Sequence, residues 1–263
     1  MTHQSRKIGS VQRAIDILNL FDSQSPELGT TEIARALGLH KSTTASLVST
    51  LAANGFLNQN PETRKYRLGL RLVERAFAML DQVEIRQIAY PCLQGLRDQW
   101  NETVNLAILD GTDVVYIERL LGTKTLGMRS EVGRRAHAHT TALGKAILSC
   151  LPIADVKAFV AAHGLPAVTP QTITQRQKFF AALDKTRQRG YAMDDEENEP
   201  GGRCVGAPVF DHGGRGVAAV SVSAPTARLP MSDVARVGAQ VRATANAISR
   251  ALGYLPRANR DRD

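Results

Sequence analysis

The residue types that most often do chemistry are thinly spread here: His137 and His139 two apart, Cys204, and Asp194 at the head of an Asp-Asp-Glu-Glu run. On paper they assemble a metal site or a cysteine–histidine nucleophile, since these are common ligand and catalytic types. Their spacing supports neither. His-x-His without a third ligand at a definite interval is a poor metal signal, and His139 is expected to hydrogen-bond the backbone of its own His-x-Thr-Ala-x-Gly-Lys segment. Gly213-Gly214-Arg215-Gly216 lacks the Gly-Lys-Ser/Thr ending of a phosphate loop and reads as a hairpin turn. No carboxylate pair stands at an interpretable interval. The residues therefore predict no catalytic group, no metal and no cofactor.

Two other groups are better placed for binding. Ser221 and Ser223 are two apart in an apolar stretch, so on a strand their hydroxyls share one face and can converge on one ligand. Ala142, Leu143 and Gly144 open an apolar segment that reads as a helix. A helix N-terminus with small side chains presents free N–H groups to a carboxylate. Near the other end of the chain, Lys41, Ser42 and Thr43 open a helix and are short or flexible enough to reach base edges or phosphates.

The elements that position these groups follow from periodicity. Val11, Ala14, Ile15, Leu18 and Phe21 recur at helical spacing, with Ser10 as N-cap. A second helix is expected from Thr31 to Leu37 with Thr30 as cap, then a turn at Gly38-Leu39-His40, then a third helix from Lys41 to about Asn54 burying Leu47, Val48 and Leu51. Residues 56–59 and 65–68 flank a turn-rich segment and read as a hairpin with Arg64 and Lys65 at its tip. Two helices joined by a short Gly-containing turn, plus a hairpin, are the parts of a winged helix-turn-helix, whose second helix enters the DNA major groove. Leu70, Val73, Phe77 and Leu80 then form a seam for a linker helix over 69–83 that pairs with another helix.

Beyond residue 83 helices mix with strands: helices at 84–100, 141–151, 153–162, 172–189 and 232–252, and strands through NLAIL, VVYIERL, 204–210 and 216–223. This predicts an α+β domain over 84–255 and a disordered tail over 256–263. The 33 Lys and Arg against 25 Asp and Glu leave +8, and the first 80 residues hold 10 of the former and 6 of the latter, so basic charge is denser beside the DNA-binding module. Three separated cysteines without a Cys-x-x-Cys argue against a disulfide framework, and no apolar run approaches the ~20 residues of a membrane span. A cytoplasmic protein with no membrane partner is expected.

The segments VQRAIDILNLF, TTEIARALGLHKSTTASLVSTLAANGFL and PETRKYRLGLRLVE resemble the winged helix-turn-helix of IclR-type bacterial transcriptional regulators. RSEVGRRAHAHTTALGKAILSCLP and GYAMDDEENEPGGRCVGAPVFDHGGRGVAAVSVSAPTARL resemble the main motifs of that family's C-terminal domain. The resemblance runs from about Gly9 to Leu252. It implies a GAF-like sensor domain, operator DNA and a small-molecule effector as partners, and a dimer or dimer of dimers. It adds Thr31 and Ser46 to Lys41, Ser42, Thr43, Arg64 and Lys65 on the DNA side. It also adds Met128, Asp194 and Cys204 to Ala142, Leu143, Gly144, Ser221 and Ser223 around the effector, expected to be a small organic or aromatic acid. Asp195, Glu196 and Glu197 are expected at the surface or in a hinge. Ser46 stands where the family often has Arg, and His137 where it often has Pro in an Arg-x-Pro-x-His segment. The alternative is a metabolite-binding enzyme or enzyme subunit with a winged-helix interaction domain, working through Cys204 or His139.

Overall fold

The computed structural model describes residues 8–22, 24–80, 84–124 and 131–255, and the chain divides into two compact units, 1–82 and 83–263. Met128, the tail after Leu255 and the side chains of Phe77, Met79 and Leu80 lie outside the described residues.

The first unit holds α1 (Gly9–Leu18), α2 (Thr30–Leu37), α3 (Lys41–Ala53), β1 (Leu57–Gln59), β2 (Tyr66–Leu68) and α4 (Arg71–Leu80). Gly38 takes the left-handed conformation (φ +64°) that ends α2 and turns the chain into α3, as its position between two helical patterns predicts. Ile17, Phe21, Ile33, Val48, Leu57 and Tyr66 form the core. The expected stripe on α1 divides: Ile17 is fully buried, while Val11 and Ile15 remain 55% and 47% exposed. On α3 it is Val48, with Thr44, that is buried, and Leu47 and Leu51 only flank the core. The hairpin β1–β2 is docked on the segment before α2 by reciprocal backbone bonds between Leu28 and Tyr66 (2.9 and 2.8 Å).

The second unit holds α5 (Glu84–Trp100), β3 (Thr103–Asp110), β4 (Asp113–Leu120), β5 (Arg135–His137), α6 (Ala142–Cys150), α7 (Ile153–His163), α8 (Arg176–Arg189), β6 (Ala192–Asp195), β7 (Gly202–Phe210), β8 (Gly216–Pro225) and α9 (Val234–Ala251). The strands make one antiparallel sheet in the order β5-β4-β3-β8-β7-β6. α5 and α9 pack on one face, and α6, backed by α8, on the other. Ala218 to Ala224 of β8 is buried without a break, as expected of a strand covered on both sides.

Several boundaries differ from the periodic reading. Ile8 and Gly29, not Ser10 and Thr30, occupy the N-cap positions, and α1 stops at Leu18 before Phe21. At α2 the cap is supplied from inside the helix, where Glu32 Oε2 accepts the Gly29 N–H (2.6 Å). α8 begins at Arg176 rather than 172, because the Thr172 hydroxyl is committed to a local turn, accepting the N–H of Val168 and Thr169 (3.0 and 2.9 Å). β5 and β6 are strands that polarity concealed, the former within Arg135-Ala136-His137 and the latter carrying Asp194 and Asp195.

Candidate functional site

The sheet lays out a row of small polar groups facing α6. In register, Asp194 of β6 pairs with Cys204 of β7 and Cys204 with Ser223 of β8; beside them Gly206 pairs with Ser221 and Ser221 with Asn105 of β3. Residues directly opposite one another share a face. Gly206 lets the start of α6 settle on this row: a Cβ there would lie 3.0–3.2 Å from the carbonyl group of Ala142 and the nitrogen of Leu143. Thr141 caps α6 by accepting the Gly144 N–H (2.9 Å), and a Cβ on Gly144 would come within 2.1 Å of the Ala138 carbonyl oxygen.

The consequence is a set of buried polar atoms that find no partner among the described residues. Among those residues the N–H groups of Ala142 and Leu143 have no acceptor although the residues are 1% and 2% exposed, and the Ser221 hydroxyl is buried without a partner. They border a narrow, partly open cavity of about 20 Å³, lined also by Asp194, Cys204 and Ser223, which is room for about one water. Six of the eight expected effector contacts thus meet. Gly144 does not line the cavity, because its N–H is taken by Thr141 and its role is close packing. Met128 lies outside the described residues. Asn105, Tyr116, Thr141, Asn198 and Glu199 also line the cavity and were not anticipated; a lone Asn in the apolar NLAIL strand and a Thr three before Gly144 were the available signals.

Burial governs the electrostatics. Asp194 is pushed up to about 7 by desolvation, against the pull of Lys145 and with the help of Glu197, while its Oδ1 accepts the N–H of Glu197 (2.8 Å) and Asn198 (3.3 Å). Desolvation first and Asp194 second hold the Cys204 thiol well above its ordinary value, so it is a protonated donor rather than a nucleophile. The rest of the acidic run is not simply surface. Glu197 is 6% exposed and ion-paired with buried Lys145, Asp195 pairs with Arg203 at 2.5 Å, and Glu196 turns the chain at φ +61° with its Oε2 accepting the Gly201 N–H (2.7 Å).

His137 ends β5 with Nδ1 3.0 Å from Asp113 Oδ1. His139 does bond backbone, but at the Pro166 carbonyl (2.9 Å) rather than within its own segment. Among the described residues no group of three or more His, Cys, Asp or Glu could hold a metal ion.

On the first unit, Lys41 and Ser42 are exposed on the opening turn of α3, Thr43 is half-buried, and Ser46 is exposed with its hydroxyl donating back to the Ser42 carbonyl (3.2 Å). Thr31 is exposed on α2. Arg64 is exposed at the hairpin turn with φ +59°. Lys65, expected beside it at the tip, is instead turned to the body of the unit, where its Nζ meets Glu32 Oε1 at 3.2 Å. Lys65 therefore fixes the wing to the helix whose cap Glu32 completes.

A family model described as "Bacterial transcriptional regulator IclR C-terminal" matches residues 77–250, and one described as "IclR helix-turn-helix domain" matches residues 10–61. The chain belongs to the IclR family. It is 42% identical over 247 residues to the HTH-type transcriptional regulator XynR of Escherichia coli, covering 94% of this chain and 98% of that one. The solved IclR of Thermotoga maritima is 32% identical with a TM-score of 0.80, over 94% of this chain and all of that one. An IclR homologue from Microbacterium hydrocarbonoxydans, solved with 4-hydroxybenzoate, shares the fold at 24% identity and a TM-score of 0.81, over 92% and 98% of the two chains.

As an IclR-family protein this is a DNA-binding transcriptional regulator with a C-terminal effector-binding domain, and operator DNA and an effector are its partners. Its relatives are named regulators and repressors, not enzymes, which overturns the enzyme alternative. None of the described helices is long and apolar enough to cross a membrane.

Proposed function

We propose that the effector is a small carboxylic acid held at the start of α6, and that Lys41, Ser42, Thr43, Ser46, Thr31 and Arg64 face operator DNA. The observation that carries the effector reading is the pair of buried N–H groups of Ala142 and Leu143, unbonded among the described residues. Buried orphan donors are costly and rare, so they call for an acceptor. At a helix N-terminus that acceptor is favoured to be an anion. Ser221 and Ser223 contribute hydroxyls, and a protonated Asp194 can donate to a carboxylate where an ionised one would repel it.

The cavity offers only about 20 Å³, so an acid of several carbons must widen it by parting α6 from the sheet or shifting the 194–199 segment. Binding then selects an opened arrangement of the domain, and a dimer converts this into a changed spacing of its recognition helices. We assign the dimer contact in the first unit to the uncovered apolar residues of α1 and of residues 70–73.

The test is a titration of the full-length protein with carboxylic acids from two-carbon keto acids to aromatic acids, read by thermal midpoint and by release of operator DNA. A ligand that binds the native state raises the midpoint by mass action. A shift that Ser221→Ala reduces is the expected result. No shift with any acid, or a shift indifferent to Ser221, removes the assignment.

A further inference from the structure

A second cavity, of about 340 Å³, lies between α8, β6 and the middle of α6, and shares no lining residue with the effector cavity. Its walls bring together four cations, Lys145, Lys178, Lys185 and Arg189, and one acid, Glu197. Lys178 and Lys185 are seven residues apart on α8, two turns along the same face. Both are exposed, and among the described residues neither has an ion-pair or hydrogen-bond partner. Arg189 is aimed by its Nε, which donates to the Tyr191 carbonyl (2.6 Å), and by its stacking on the Tyr191 ring at 4.4 Å.

The lone acid is not available to neutralise these cations. Glu197 Oε1 is held by buried Lys145, while Oε2 of the same carboxylate is buried and, among the described residues, makes no well-formed hydrogen bond, the Asp195 N–H being the backbone donor turned toward this carboxylate. The Thr172 hydroxyl fixes the Glu197 backbone by donating to its carbonyl (2.7 Å). The wall thus presents two unmet demands side by side: an excess of positive charge, and a buried carboxylate oxygen that lacks a well-formed hydrogen bond. A simple anion answers only the first. A carboxylate monoanion would leave most of the charge unmatched. A phosphate dianion carrying a neighbouring hydroxyl answers both, with its oxygens among Lys178, Lys185 and Arg189 and its O–H on Glu197 Oε2.

We propose that this cavity is a second ligand site, separate from the effector cavity, which takes a hydroxylated phosphate monoester. The site adjoins the effector cavity through one hydrogen bond and through chain neighbours, Met193 beside Asp194 and Glu197 beside Asn198. Glu197, which would accept from the phosphate ligand's hydroxyl, donates its N–H to Asp194 of the effector cavity at 2.8 Å. An occupant of one cavity therefore bears on the other, and the domain has two chemical inputs.

The experiment is calorimetric titration of the full-length protein with sn-glycerol 3-phosphate at constant ionic strength, with inorganic phosphate and sulfate as comparators. Saturable binding is expected, tighter for glycerol 3-phosphate than for either comparator. The paired change Lys178→Ala and Lys185→Ala should weaken it about tenfold while leaving the thermal midpoint unchanged, since two charge-assisted contacts are lost from exposed, unpartnered side chains. Ser221→Ala, in the other cavity, should leave this binding as it was. The site is overturned by no saturable binding up to about 10 mM, by binding that the paired alanines do not weaken, or by binding lost in Ser221→Ala. Equal binding of inorganic phosphate removes the hydroxyl contact to Glu197.

Discussion

Asp194 is an acid whose folded state resists ionising. Its ordinary value is 3.8 and burial lifts it to about 7, so between about pH 4 and pH 7 the native protein holds a proton that the unfolded chain has released. Its contribution to stability is therefore full below about pH 4 and declines as the pH rises to about 7. Asp194→Asn keeps an oxygen for the N–H of Glu197 and Asn198 but cannot ionise. We expect it to flatten this part of the stability–pH curve and to be more stable than the parent at pH 8, by up to about 4 kcal/mol, as read by denaturant melts at pH 5 and pH 8. The same proton links to the effector: acid binding should tighten as pH falls through 7 in the parent and lose that dependence in the variant. At the DNA surface, Lys41 and Arg64 are exposed cations with no described partner. Replacing either with Ala should weaken operator binding across sequences and lower the slope of log affinity against log salt by about 1. An unchanged slope would assign that residue to solvent.

Close approach of α6 to the sheet is what makes the cavity proposed for the effector, and two glycines permit it. Gly206→Val would drive a branched side chain into the backbone of Ala142 and Leu143, so α6 must lift. A loss of about 1–3 kcal/mol is expected, with effector response lost even where folding survives, measurable by melts and by titration of the purified variant. Glycine at 206 gave no hint of this in the sequence, because the partner it accommodates is over 60 residues away. The DNA-binding half was more legible. Gly38 between two apolar periods announces α2, a turn and α3 because the signal is local. β6 was invisible for the opposite reason: Asp194 and Asp195 look like solvated charge until α6 and β7 bury the first and Arg203 pairs the second. Ser221 and Ser223 were legible because strand alternation alone puts them on one face, whereas Asn105 joined them only through the register of β3 against β8. The pairing of Lys65 with Glu32, 33 residues earlier, was not legible, because proximity to the tip in sequence says nothing of so distant a partner.

At the scale of the whole molecule, the proposed dimer would hold two DNA-binding units as a pair. Ile8, Val11 and Ile15 on and before α1, and Leu70 and Val73 before and on α4, are large apolar side chains left 47–80% exposed, Leu70 the most. A second copy covering them is the simplest remedy for exposed apolar surface. Val73→Glu should shift the protein toward monomer in sedimentation and weaken operator binding without a matching loss of effector response; an unaltered oligomer would place the contact elsewhere. The order of the sheet carries a last consequence. β6 ends the row β5-β4-β3-β8-β7-β6 and is bonded to β7 alone, so the strand bearing Asp194 has one neighbour where β8 has two. Strands held on one side open more readily than those in the middle of a sheet. On the proposed reading the cavity reaches from the central strands β3 and β8 to this hem of the domain, where a small molecule can alter how long an edge stays shut without having to disturb the fold behind it.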